Sequence, residues 1–389
     1  MNRLIINLDV LRHNIEVIDG WMKEHDAGWT LVTKVLCGHS DTLAALQKIG
    51  VRSMADSRLS NLQTIERVNP DFESWYLRLP HMTALPRIVK LADVSLNSEI
   101  EIIKALNEEA KKIDKVHRIV IMIELGDLRE GILPGTLVDF YQQIFELSHI
   151  DVLGIGANLG CLAGAVPNLD QVMQLVLYKE LLELKFERPL PMISGGSSSI
   201  LPLLLEGRIP EQINHFRIGE SVFLGSDLVR GGLLKGLRGD AFTLETEIVE
   251  IKEKSLTAPS DTLTITPFEN LDDTEYEPGQ RGYRALVTMG QLDTEMGGLT
   301  PVNPAHKIVG ASSDVSVIYL GDNPANLKLG DPVTFRPSYG ALARLMLGPY
   351  IEKVVTPSID EYSRTLDSSK HVELPPVVTE DIEDKLSTN

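Results

Sequence analysis

Apolar positions near the start of the chain first recur at helical spacing and then give way to short unbroken runs. Over 8–25 the apolar residues Leu8, Leu11, Ile15, Ile18, Trp21 and Met22 fall on one helical face, which predicts a leading helix. Eight strand-like runs follow, at 29–36, 51–57, 74–80, 93–98, 116–125, 150–159, 190–196 and 214–219. Between them lie helical patterns at 41–49, 98–113, 137–147, 168–186 and 200–206, with a weaker one over 56–68. Ser98 with Glu101 three residues on predicts a capping box. The segment Ile119-Val120-Ile121-Met122-Ile123 is apolar at consecutive positions. Such runs belong to strands buried on both faces, as in parallel sheets flanked by helices.

Eight strand–helix units in this length of chain fit an α/β fold of the (β/α)8 TIM-barrel type. An open doubly wound sheet satisfies the same periodicity; the count of eight and the Gly/Ser-rich turns that end the seventh and eighth runs favour the barrel. From about Leu237 the pattern changes to approximate alternation, clearest over 241–251 and continuing towards Tyr350. Pro278-Gly279, Gly297-Gly298, Asn323-Pro324 and Asp331-Pro332 punctuate it, predicting a C-terminal all-β domain. Residues 353–389 are polar, with Pro375-Pro376 and an acidic run over 380–384, and read as an extended tail. The expected division is a barrel over 1–236, a β domain over 237–352 and an acidic tail over 353–389.

Composition narrows the partners. The net charge of −18 argues against nucleic acid, which calls for clustered Lys and Arg. It is compatible with cationic small molecules. Two cysteines, Cys37 and Cys161, make no disulfide framework, so a reducing cytoplasm is the expected compartment. No signal peptide or membrane-length apolar run is evident, and no membrane partner is expected.

Candidate chemistry gathers at strand ends. Lys34 follows the apolar positions of the first run. It is either a solvated cap or an amine whose pKa can fall on burial. Ser194-Gly195-Gly196-Ser197-Ser198-Ser199 ends the seventh run and Arg217-Ile218-Gly219-Glu220-Ser221 the eighth. In a (β/α)8 barrel these two loops are common phosphate sites, and glycines let backbone N–H groups approach an anion. An amine at the first strand and a phosphate cradle at the last two suggest a phosphorylated aldehyde cofactor, pyridoxal 5′-phosphate. Arg217 would face that cofactor or form a structural ion pair. Arg129, in the charged turn 124–131, could grip a substrate carboxylate or belong to a surface turn with local salt bridges. Asn158 and Cys161 lie at the end of the sixth run, where backbone bonding and inert packing are the bland readings. His39 and His81 are isolated, so no metal site is expected.

These segments, in this order, resemble the alanine racemase fold of pyridoxal-phosphate enzymes, and most closely its ornithine-racemase-like branch. Thr33-Lys34-Val35-Leu36-Cys37-Gly38, Ala55-Asp56-Ser57-Arg58, Ser95-Leu96-Asn97-Ser98-Glu99 and Gly126-Asp127-Leu128-Arg129-Glu130-Gly131-Ile132 carry the likeness in the first half. Ile193-Ser194-Gly195-Gly196, Arg217-Ile218-Gly219-Glu220-Ser221, Gly298-Leu299-Thr300-Pro301, Gly310-Ala311-Ser312-Ser313-Asp314 and Tyr339-Gly340-Ala341-Leu342 carry it in the second. The resemblance implies that Lys34 holds the cofactor as a Schiff base and acts as one of two bases. It implies phosphate contacts from Gly196, Ser197, Gly219, Glu220 (through its backbone) and Tyr339, and an arginine, Arg217, at the pyridine nitrogen. Arg129 matches the arginine near the cofactor's phenolic oxygen. A head-to-tail homodimer is implied, with the region around Met289–Asp293 and Ser312–Asp314 of one chain completing the other's site; Ser313 and Asp314 are the expected substrate contacts there.

Three departures stand out. The tyrosine that serves alanine racemases as second base is absent: Gly290 is followed by Gln291, Leu292 and Asp293. Asn158 replaces a histidine that stacks on the cofactor, and Met122 replaces a lysine that can be carbamylated. Racemisation needs proton transfer on both faces of Cα; Asp293 and Cys161 are the candidates for the second group. The expected activity is racemisation of ornithine or another basic amino acid. An aldolase or dehydratase for D-hydroxy amino acids, and a non-catalytic pyridoxal-phosphate carrier, are the alternatives.

Overall fold

A computed structural model describes residues 2–162, 164–257, 276–277 and 279–368. Its strands are β1 (Arg3–Asn7), β2 (Gly28–Val32), β3 (Ser53–Asp56), β4 (Glu73–Tyr76), β5 (Val94–Asn97), β6 (His117–Met122), β7 (Ile150–Gly156), β8 (Met192–Ser194), β9 (His215–Ile218), β10 (Phe242–Ser255), β11 (Arg281–Val287), β12 (Leu299–Pro301), β13 (Lys307–Ala311), β14 (Ser316–Tyr319), β15 (Pro332–Pro337) and β16 (Glu352–Thr356). The helices begin with α1 (Leu8–Glu24), α2 (Ser40–Ile49), α3 (Leu59–Val68), α4 (Leu85–Leu91), α5 (Ile100–Lys112) and α6 (Leu137–Ile144). They continue with α7 (Leu169–Phe186), α8 (Leu201–Leu205), α9 (Glu220–Leu224), α10 (Tyr339–Leu347) and α11 (Ile359–Ser368).

The strands β2 to β9 close into a parallel barrel in sequence order. Its interior packs Val32, Ala55, Trp75, Leu96, Val120 and Met122 into one apolar cluster. Met122 is wholly buried there, an apolar neighbour where a lysine would bury an unpaired charge. Trp75 lies flat on His215, ring centroids 4.7 Å apart and planes 7° from parallel. Truncating such an indole costs about 3–5 kcal/mol.

The described residues divide into two units. The barrel unit comprises Leu11–Lys34, Gly38–Gly239 and the helix beginning at Ile359. The β unit comprises the first strand up to Val10, Val35–Cys37 and Asp240–Ser358. Within the β unit, β10 pairs antiparallel with β11 and β15, and β14 joins β11 to β13.

Several local expectations need correction. The N-terminal strand does not belong with a barrel over 1–236: β1 pairs with β10 and, in parallel, with β16, because buried Leu4 and Ile6 alternate on one face. The tail expected from 353 instead begins with β16, whose Val354 pairs with Ile5, and continues into α11. The acidic run over 380–384 lies outside the described residues. Alternation does not persist to Tyr350 either; α10 intervenes, its first turn capped by the Ser338 hydroxyl, which accepts from the Ala341 N–H at 3.3 Å. Ser98 and Glu101 form no capping box, since α5 starts at Ile100 with Glu99 at its cap. The box is found instead at α7, where Asn168 and Gln171 bond reciprocally at 3.0 and 3.1 Å. Among the described residues no helix is long and apolar enough to cross a membrane, and no group of three metal-ligating side chains occurs.

Candidate active site

Lys34 opens the short 3-10 turn Lys34–Leu36, two residues past the end of β2, at the rim where barrel enzymes place their chemistry. Part of its side chain reaches solvent, yet the surrounding rim strips the ammonium of water, and this desolvation lowers its pKa. Cys161 and Asp56 act in the opposite direction, while Arg129 and Arg217 lower the pKa further. The neutral, nucleophilic amine is thereby favoured over what a surface lysine would hold. Asp56 is itself buried; it accepts hydrogen bonds from the Arg58 N–H at 2.9 Å, Asn61 Nδ2 at 3.1 Å and Thr33 Oγ1 at 3.2 Å. Burial raises its carboxyl pKa and these bonds pull it back.

Opposite charges meet in a continuous network across the loops after β6 and β7. Arg217, on β9 and buried, donates through Nη2 to Ala157 O and Asn158 Oδ1, both at 2.9 Å. Its Nη1 donates to the hydroxyl and carbonyl of Ser194. None of these four bonds uses Nε. Burial lowers the Arg217 pKa to about 10, so the group stays cationic at neutral pH. Asn158 Nδ2 donates to the Glu130 carboxylate, which also receives Nε and Nη2 of Arg129. The turn is braced by Glu124, which accepts from the Gly126, Leu128 and Arg129 N–H groups at 2.5, 3.1 and 3.0 Å. Asp127 accepts from the Cys161 and Leu162 N–H groups at 2.8 and 2.9 Å and so fixes the Cys161 loop to this turn. Its Oδ2 has no hydrogen-bond partner among the described residues and stands 3.8 Å from Arg129 Nε.

The Gly/Ser turns lie beside this network. The Ser198 hydroxyl accepts from the N–H groups of Gly219 and Ser221 at 3.2 and 3.3 Å, joining the turn after β8 to the one after β9. Gly219 presses on the end of β2: a Cβ there would lie 2.9 Å from Val32 O, so only glycine fits. Gly196 holds φ +141°, which also favours glycine. The Cys161 thiol lies 3.7 Å from Ser197 Oγ. Burial raises the Glu220 carboxyl pKa, and Lys34 lowers it.

Beneath the rim, a chain of side chains runs along the barrel interior. Ser194 Oγ lies 2.9 Å from His215 Nδ1, His215 Nε2 is 3.0 Å from Thr30 Oγ1, Thr30 is 2.8 Å from Ser53 Oγ, and Ser53 donates to Glu73 at 2.9 Å. Arginine can only donate and the carboxylate can only accept, so the chain has one direction, from Arg217 to Glu73. Burial lowers the His215 pKa to about 3, and Arg217 adds to the effect.

The barrel unit thus contains nine of the positions singled out from sequence: Lys34, Arg129, Asn158, Cys161, Gly196, Ser197, Arg217, Gly219 and Glu220. Asp293, Ser313, Asp314 and Tyr339 belong to the β unit. There Asp293 accepts from the Gly290 N–H at 2.9 Å, and the N–H of Leu292 donates to Ser313 O at 3.0 Å, so the two segments of interest adjoin. Glu130, Asp56 and His215 were not singled out as site residues. For Glu130 the only signal was the charge density of its turn; it satisfies Arg129, the side chain expected to grip a carboxylate.

The profile of the alanine racemase N-terminal domain matches residues 6–227. Ornithine racemase from Acetoanaerobium sticklandii is 36% identical over 352 residues, 90% of this chain and 98% of its own length. Lysine racemase from Thermotoga maritima is 32% identical over 357 residues, 92% of this chain and 99% of its own. Alanine racemase from Streptomyces coelicolor A3(2) superposes with a TM-score of 0.69 at 16% identity, covering 92% of this chain and 98% of that one. The structure from Bartonella henselae, an alanine racemase with covalently bound pyridoxal phosphate, gives 0.66 at 14% identity, covering 91% and 99%.

Proposed function

The chain belongs to the alanine racemase family, and on that footing we propose that it is a pyridoxal 5′-phosphate-dependent racemase of a basic amino acid, ornithine or lysine. The observation that carries this reading is the pairing of a desolvated Lys34 with a guanidinium, Arg217, in one barrel rim, in a chain matched almost end to end by an ornithine racemase and a lysine racemase. Neither relative supports the aldolase or dehydratase alternative. A barrel-only carrier is not favoured, because the match with both relatives covers the β unit as well.

The residues present fit the cofactor. The turns of Gly196–Ser199 and Gly219–Ser221 meet through Ser198, which accepts from the N–H groups of Gly219 and Ser221, and they bring serine hydroxyls and glycines together where a phosphate would sit. Arg217 would stand at the pyridine nitrogen, held there by Ser194, Ala157 and Asn158. When bound, pyridoxal phosphate supplies an aldehyde that combines with an amine and a ring that withdraws the electron pair left at Cα.

The remaining chemistry belongs to the chain. Lys34 Nζ, whose pKa desolvation lowers, takes the Cα proton from one face of the bound amino acid. A second group must deliver a proton to the other face. We assign this to Cys161, whose thiol shares the rim with Ser197 and acts electrostatically on Lys34. Asp293 is the less favoured candidate, since its carboxylate already holds the Gly290 N–H. Glu130 neutralises Arg129 and steadies Asn158, so both guanidinium groups keep fixed positions while the substrate turns over. The β-unit segments around Asp293 and Ser313 are proposed to complete the site of a partner chain in a homodimer.

The test is incubation of L-ornithine, L-lysine and L-alanine with the purified protein and cofactor in deuterium oxide. Appearance of Cα-deuterated D-ornithine or D-lysine, with alanine slower, is expected. Deuterium uptake with retained configuration, or no reaction of either basic amino acid, would contradict the proposal.

A further inference from the structure

A cleft of ≈ 430 Å³ opens beside the C-terminal ends of β3 and β4. Arg58, Arg78, Arg87 and His81 line it together with Ser57 and Ser60, and no carboxylate belongs to the lining. None of the three arginine side chains forms an ion pair or hydrogen bond with another described residue. That arrangement stands out in a chain of net charge −18, where most cationic groups could find an acidic neighbour. Asp56, two residues from Arg58, does not neutralise it: its carboxylate turns to the Arg58 backbone N–H, Asn61 and Thr33.

Three further features share the same polarity. Helix α3 begins at this cleft and no side chain caps its first turn, so its N–H groups add to the positive potential. Tyr76, the last residue of β4, lines the cleft and is buried. Burial pushes its phenol pKa up while Arg78 and Arg58 pull it back, so it remains a hydroxyl donor and both guanidinium groups lie near it. Thr83 adds a hydroxyl, held against His81 Nδ1 at 3.0 Å.

We propose that this cleft binds a small polyanion, a phosphate ester or a di- or tricarboxylate, held by the guanidinium forks of Arg58, Arg78 and Arg87. Guanidinium groups match carboxylate and phosphate oxygens two at a time, and several converging on one space favour a ligand with several oxygens. The volume suits a compound of metabolite size rather than a protein segment. Neither Lys34 nor any side chain that bonds to Arg217 belongs to the lining, and Arg58 meets Asp56 through its backbone N–H alone. It would repel the side-chain ammonium of ornithine or lysine, which keeps it from being the place of that side chain. The inference does not rest on the racemase reading.

Calorimetric titration of the full-length, cofactor-loaded protein, freed of unbound pyridoxal 5′-phosphate, with citrate and with pyrophosphate tests it at constant ionic strength. Saturable binding is expected in at least one arm; citrate alone would identify a carboxylate ligand and pyrophosphate alone a phosphate ligand. The double variant Arg58→Gln/Arg78→Gln should weaken it by about tenfold or more, and Arg58→Lys/Arg78→Lys by less. The lysine pair keeps the charge, so it preserves the test if the glutamine pair does not fold. Arg208→Gln, outside the cleft, should change nothing. Absence of saturable heat up to about 10 mM in both arms would overturn the proposal. So would binding that ignores both Arg58/Arg78 variants. If the wild type binds neither anion and the glutamine variant dissociates to monomers, the cleft belongs to a second copy and the proposal fails.

Discussion

The Ser194 hydroxyl stands 2.9 Å from Nδ1 of His215, at one end of a hydrogen-bond chain that fixes the tautomer of this histidine inside the barrel. Glu73 can only accept, so Ser53 gives its proton to Glu73 and Thr30 gives its own to Ser53. His215 must then carry its proton on Nε2, towards Thr30. Nitrogen-15 chemical shifts of the ring should show a neutral Nε2–H imidazole throughout the neutral range; an Nδ1–H form would contradict the directed chain. Ser194→Ala should cost about 1–3 kcal/mol in denaturant unfolding, since it removes the hydroxyl that accepts from Arg217 Nη1 and bonds His215 Nδ1.

Two buried histidines set a pH dependence of stability. Burial lowers the pKa of His215 and of His117 to about 3, from 6.5 in the unfolded chain. Between these values the unfolded chain binds the protons that the folded one refuses, so acidification favours unfolding. Their contribution is intact above pH 6.5 and is lost progressively as pH falls towards about 3. Unfolding near pH 5 should take up roughly two protons from these groups. Replacing His117 with glutamine should reduce that uptake by about one, measurable as a shallower slope of unfolding free energy against pH.

Glu130 carries the charge that Arg129 would otherwise direct elsewhere. The arginine is partly exposed, so the pair itself is worth about 1 kcal/mol or less in stability. Its effect on positioning is larger: Glu130→Gln should lower kcat by roughly 10- to 100-fold, as misplaced site groups do. Unchanged kcat with normal folding would assign Glu130 to the scaffold.

The second proton donor separates by isotope. Cys161→Ala should retain Cα exchange by Lys34 while losing inversion, so that one enantiomer of ornithine gains deuterium yet keeps its configuration. Asp293→Asn should keep both. The reverse pattern would transfer the role to Asp293.

The barrel could be read from the chain because its strands are buried on both faces and leave unbroken apolar runs, as at Ile119–Met122. The runs overshot the strands, however. Val35 and Leu36 are apolar and buried, yet they form a 3-10 turn after β2. The tail misled for the opposite reason: β16 is a short strand whose only named partner is β1, more than three hundred residues earlier, and nothing local announces such a pairing. Site residues on glycine-rich turns and strand ends stood out one by one. The bonds between them did not. Glu130 meets Asn158, Asn158 meets Arg217, and Ser53 meets Thr30 and Glu73 only through the lateral pairing of separate strands, which sets a register that no single segment encodes.

Lys34 is the residue on which the functional account depends. Reduction of the cofactor-loaded protein with borohydride, followed by peptide mapping, fixes the cofactor on whichever amine holds it. A single pyridoxyl label on Lys34 is expected, lost in Lys34→Ala. A label on another lysine, or none on protein that retains the cofactor, would contradict it.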